Sequence, residues 1–147
     1  MLSSDVGYDA VRIARQWLGT PYLHQASVKG VGTDCLGLIR GVWRGLYGDE
    51  PELPAFYSSD WGEYDASEPL LTGSHRHFLV DESVETLGQI LLFRMRQGAS
   101  VKHLGLVSAV GDAPAFIHAY DRHGVVESPL SGPWRRRIAA RFRFPKP

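Results

Sequence analysis

The chain has 147 residues, 44% of them hydrophobic and 22% charged, and a formal net charge of zero. That length suits one domain over residues 1–147, and a chain of this size buries about 68–70% of the surface it exposes when unfolded. The balanced charge gives no electrostatic case for nucleic acid as a partner, and no run approaches the roughly 20 apolar residues that span a bilayer.

Taken in order, Val6, Ala10, Ile13, Ala14, Trp17 and Leu18 recur at helical spacing after Ser4, a plausible cap, and Gly19 and Pro21 end the helix. Residues 20–32 read as a loop. A second helix is expected from Cys35 to Tyr47, capped by Thr33 or Asp34, with Leu36, Ile39, Trp43 and Leu46 on its apolar face. Gly37, Gly41 and Gly45 each cost about 1 kcal/mol relative to alanine in a helix interior, so another backbone should pack very close to the face they share. Residues 48–86, rich in acidic side chains and broken by Pro51, Pro54 and Pro69, read as a long insertion with short helices. Strands follow over Gln89–Met95, Val101–Val110, Ala115–Tyr120 and Val125–Val126. A last strand is marked by Ile138, Ala140, Phe142 and Phe144 alternating with Arg137, Arg141 and Arg143. Helices first and an antiparallel sheet afterwards make the fold class α+β.

Cys35 is the chain's single cysteine, which excludes an intramolecular disulfide and leaves a small buried hydrophobe or a working thiol. Its place in the first turn of a helix favours the second, because the unpaired amides and the positive end of the dipole there stabilise an anion. The same amides can bind the oxyanion formed when a carbonyl is attacked. A base has to come from elsewhere in the chain. His103 and His118 both fall within expected strands of one hairpin. If the apolar faces of those strands coincide, the two imidazoles project to the same side, adjacent or diagonal. That arrangement suits a relay in which His103 deprotonates Cys35 and His118 fixes the tautomer of His103. The plainer alternative is that either histidine is a satisfied core residue.

Four segments in order now resemble a known family: Gly19-Thr20-Pro21-Tyr22, Gly32-Thr33-Asp34-Cys35-Leu36-Gly37-Leu38, His103-Leu104-Gly105-Leu106-Val107 and Ile117-His118-Ala119. Together they are similar to the NlpC/P60 cysteine peptidases. The resemblance implies a papain-like fold, with Cys35 as nucleophile on a central helix, His103 as general base and His118 as the orienting third member. It further implies that Tyr22 lies beside the site and helps polarise the carbonyl, and that Asp34 helps hold a substrate amine. Two departures concern substrate contacts: Leu36 stands where the family usually has serine, and Leu87-Gly88-Gln89 replaces its Pro-Gly-Asp. The run from Asp34 to Arg44 resembles the phage and gene-transfer-agent branch of cell-wall peptidases.

The expected function is therefore a peptidoglycan cysteine endopeptidase cleaving an amide of the stem peptide, at the D-gamma-glutamyl–diamino-acid bond that the resemblance implies. Its partners would be stem peptides and tail or tail-like particle proteins. Two alternatives stay open, a cysteine amidase or esterase with another substrate and an inactive tail or wall-binding module. No basic region precedes an apolar run near Met1, so synthesis in the cytoplasm without a signal peptide and delivery by a virion or tail-like particle are expected. No cofactor is expected. His75 and His77 offer two metal ligands but no acidic or thiol partner at a ligand spacing. Trp134-Arg135-Arg136-Arg137 reads as a solvated edge strand, with contact to an anionic polymer or a tail partner as its alternative.

Overall fold

A computed structural model describes residues 5–50 and 68–147. The first helix, α1 (Val6–Arg15), is capped by Asp5, whose side chain accepts the Tyr8 amide, one residue later than expected; Ser4 lies outside the described residues. The stretch expected as a loop contains a small antiparallel pair, β1 (Ser27–Val28) and β2 (Gly32–Thr33). It delivers the chain directly into α2 (Cys35–Tyr47), whose bounds match the expected ones. Leu38, Ile39, Val42 and Leu46 of α2 are buried, each contributing about 1.5–3 kcal/mol of transfer free energy.

The α2 glycines do take close neighbours, but only one of these is backbone. A Cβ on Gly37 would sit 2.0 Å from the Ala26 carbonyl oxygen, whereas Gly41 faces the Trp17 ring and Gly45 faces Ile13. So α1 and the turn after it dock on α2 through Ile13 and Trp17 set into the glycine notches, and the 20–33 segment docks through its main chain.

Of the 48–86 insertion, residues 51–67 lie outside the described residues, and the remainder forms α3 (Pro69–His77) followed by β3 (Leu79–Val80). The strands after it are β4 (Ile90–Phe93), β5 (His103–Ala109), β6 (Ala115–Tyr120) and β7 (Gly124–Pro129). A short helix, α4 (Gly132–Arg136), precedes the last strand, β8 (Ile138–Arg143). Compared with the sequence reading, β4 and β5 are trimmed at both ends, β6 agrees, and β7 runs well beyond the two valines.

Among the described residues the strands from β3 onward form a six-stranded sheet in the order β3-β8-β4-β5-β6-β7, every pairing antiparallel. The C-terminal strand is thus interior, between β3 and β4. The Trp134–Arg137 run is not an edge strand: it forms and closes α4, with Trp134 packed inward and Arg135 paired to the buried Glu85, which also binds Arg141. The periodicity of β8 was legible, but its neighbours depend on how the chain returns across the sheet.

Each face of the sheet carries its own core. Ile90, Leu92, Leu104, Leu106, Ile117 and Ala119 point to α1 and α2, while Leu91, Phe93, Val107 and Phe116 form a second cluster with Leu130, against which Trp134 packs. This alternation is the period-two geometry of a strand buried on both sides. It places the two strand histidines on the Phe116 face, with α2 on the other.

Candidate active site

Asp34 organises the first turn of α2. As N-cap it accepts the Gly37 amide on Oδ1 at 2.7 Å, and on Oδ2 it accepts the Gln25 amide, also at 2.7 Å. His24 Nδ1 lies 3.8 Å from the same Oδ2. With the residue 1% exposed, both carboxylate oxygens are committed to shaping the site. Tyr22 is bridged to Thr33, and the Thr33 amide donates to the Pro21 carbonyl, so this tyrosine is stitched alongside Asp34 and Cys35. Burial, and then the neighbouring Cys35, Asp34 and Asp121, push the Tyr22 hydroxyl well above its ordinary range; it is a phenol that can donate.

Cys35 is half-buried at the start of α2, with Sγ 3.6 Å from the carbonyl oxygen of Lys102, the residue before His103. The start of α2 therefore meets β5 where the first histidine enters the sheet. His103 Nε2 is 2.8 Å from His118 Nδ1, and His118 Nε2 is 2.9 Å from Ser128 Oγ. His103 is 6% and His118 1% exposed. Gly105 makes room for this packing, since a Cβ there would lie 2.6 Å from Phe116 Cδ2. The Phe116 ring stacks on His118 at 4.2 Å, and Trp134 covers both imidazoles, 5.7 Å from His103 and 5.1 Å from His118.

The electrostatics differ from the thiolate expected at a helix N-terminus. Burial, then Asp34, push the Cys35 thiol up to about 12, against the opposing pull of the Leu104, Leu36 and Cys35 amides. Burial and the neighbouring His118 push His103 down to about 3, and burial and His123 push His118 down to about 4. At rest the thiol and the two imidazoles are consequently neutral, because losing water costs a charge more than the first-turn amides return. An uncharged imidazole is the form that can accept a proton.

All five residues singled out from the sequence are accounted for: Tyr22, Asp34 and Cys35 gather at the start of α2, and His103 and His118 pair on the sheet. Ser128 and Trp134 were missed. Ser128 lies two residues beyond the expected end of its strand. A tryptophan at the head of an arginine run was the available sign that this stretch is not wholly solvated. His75 and His77 serve as aromatic packing against Phe142 and Trp43, and among the described residues no three His, Cys, Asp or Glu side chains are grouped to hold a metal. No described helix is long and apolar enough to cross a membrane.

No protein-family model matches the sequence, and no curated protein matches it. Solved structures do match. An NlpC/P60 family protein from Bacillus cereus superposes with a TM-score of 0.67 at 23% identity, over 97% of this chain and 41% of that one. NlpC2 from Trichomonas vaginalis gives 0.66 at 18% identity, over 98% of this chain and 49% of its own. The NlpC/p60 domain of the peptidoglycan hydrolase SagA gives 0.57 at 21% identity, over 84% and 89%. The chain thus spans less than half of the first and second of these proteins and most of the SagA domain. The antiparallel sheet, the helix that begins at Cys35 and the superposition together identify the chain as having the α+β, papain-like NlpC/P60 fold.

Proposed function

We propose that this chain is a cysteine endopeptidase of the bacterial cell wall, cleaving the D-gamma-glutamyl–diamino-acid amide of the peptidoglycan stem peptide. The observation that carries the reading is the meeting of the Cys35 end of α2 with the start of β5, where His103 begins an imidazole pair with His118. The peptidoglycan hydrolase SagA, whose domain shares this fold over most of its length, supports the substrate class.

In this reading Sγ of Cys35 attacks the amide carbon while its proton passes to His103, whose Nδ1 is the nitrogen not turned toward His118. Transfer during attack suits a neutral resting pair and needs no preformed thiolate. The oxyanion is met by the first-turn amides of α2 and the Tyr22 hydroxyl. His103 then protonates the departing amine, and water, deprotonated by the same imidazole, hydrolyses the thioester and restores the thiol. Asp34 acts by fixing the position of Cys35 and raising the affinity of its sulfur for the proton, since both carboxylate oxygens already accept main-chain amides. The resemblance of Asp34–Arg44 to the phage and gene-transfer-agent branch supports a tail component, made in the cytoplasm and carried to the wall by its particle.

Soluble muropeptides incubated with the protein and its Cys35→Ala variant, read by mass spectrometry, test this. The intact protein should release a fragment ending at the D-glutamyl residue and the variant none; absence of product from both, with both folded, overturns the proposal. A second reading, another amide or an ester as substrate, is favoured by Leu36. Its side chain is packed into the core where a serine would offer a hydroxyl, and a screen preferring non-muropeptide amides would establish it.

A further inference from the structure

We propose that Ser128 is a positioning residue of this site, accepting a hydrogen bond from the Nε2–H of His118 and thereby keeping His103 in the tautomer that can act as a base. The inference rests on the reading of His103 as base for Cys35.

Two neutral imidazoles whose nitrogens lie 2.8 Å apart share a single proton between them. In one arrangement His103 carries its proton on Nε2 and donates to His118 Nδ1, so His103 Nδ1 is bare and His118 must be protonated on Nε2. In the other, His118 Nδ1–H donates to His103 Nε2, which puts the His103 proton on Nδ1, where it cannot take another from a thiol. The two differ at the far end of the pair. The productive arrangement leaves an N–H on His118 Nε2 in a residue only 1% exposed, and such a donor needs an acceptor.

Ser128 Oγ stands 2.9 Å from that nitrogen. It is on β7, opposite Phe116, and half-buried, so its own hydroxyl proton can turn to solvent while a lone pair faces His118. The arrangement holds through the reaction as well. When His103 becomes an imidazolium it must still donate from Nε2, so only the Nε2–H form of His118 accepts the charge without a second proton shift. Removing the hydroxyl leaves the productive arrangement with an unsatisfied buried donor and tips the pair toward the other one.

The test is the tautomeric state of the two rings by ¹⁵N–¹H correlation in histidine-labelled protein, alongside kinetics on muropeptides. The wild type should show His118 and His103 both protonated on Nε2. Ser128→Ala should lose that pattern and lower kcat by about 10- to 100-fold with KM little changed, the scale of an unsatisfied buried donor. Ser128→Thr, which keeps the hydroxyl, should restore both. A wild-type His118 protonated on Nδ1 overturns the assignment whatever the variants do. So does a folded Ser128→Ala protein that keeps both the tautomers and kcat, which is the result of a merely structural serine. If the wild type cleaves no stem peptide, the functional reading fails separately, and the wild-type ring spectrum still decides the role of Ser128.

Discussion

Replacing Asp34 should weaken the fold and acidify the Cys35 thiol together, a pairing that distinguishes a cap from a substrate contact. In Asp34→Ala the Gly37 amide loses its cap acceptor, worth about 0.5–2 kcal/mol, and the Gln25 amide loses a charged acceptor, worth about 1.5–3 kcal/mol. The sum, about 2–5 kcal/mol, is a large share of the roughly 5–15 kcal/mol that stabilises an ordinary domain. Asp34→Asn keeps one acceptor oxygen but turns an NH₂ toward the other amide, so its loss should be smaller and the variant should fold. Asp34 is also the charged neighbour that raises the Cys35 thiol toward about 12. Without it the thiol should titrate lower, while burial holds it above the ordinary 9.0. Urea unfolding measures the first effect, and the pH dependence of Cys35 alkylation by iodoacetamide, followed by mass spectrometry, measures the second. A stability loss under about 1 kcal/mol in the alanine variant, or an alkylation inflection in the asparagine variant that stays put or rises, refutes this account of the site.

Two further outcomes are expected. Trp134→Ala removes the ring that covers both imidazoles, so His103 and His118 should titrate higher than about 3 and about 4, moving toward 6.5; an NMR titration in which neither moves would show that Trp134 does not desolvate them. Stability should also depend on pH at both ends. Folded His103 and His118 titrate below their ordinary 6.5, so the unfolded chain binds more protons and stability falls as pH drops below 6.5. Folded Cys35 titrates above its ordinary 9.0, so the folded chain binds more protons and stability falls again above 9.0. The unfolding midpoint should therefore be flat between those limits. His118→Gln should make the acid limb shallower down to about pH 5, above the usual range of the carboxylates, leaving the part that the buried His103 contributes. A midpoint that stays constant from pH 7 to about 5 in the wild type contradicts the burial of the two rings.

Much of this protein is legible in its sequence because much of it is local. The α2 bounds, its Asp34 cap and the place of Cys35 in the first turn follow from near neighbours in the chain, as does β6, and a helix or strand of clear period declares itself within a dozen residues. The family resemblance added the order of Cys35, His103 and His118, and the two histidines do pair. What periodicity could not decide was which strand lies beside which. The Trp134–Arg137 run reads as a solvated edge strand, yet it forms and closes α4 with the tryptophan turned inward over the imidazoles, and the β8 strand after it lies between β3 and β4. Ser128 escaped for the same reason: its meaning comes from His118 on the neighbouring strand, not from residues beside it in the chain. The protonation state of the site is the most tertiary property of all. By itself the sequence determined where the thiol sits and what donors surround it. Packing decided that both thiol and imidazoles rest neutral, because the cost of charging a group depends on how much water the whole fold has removed from it.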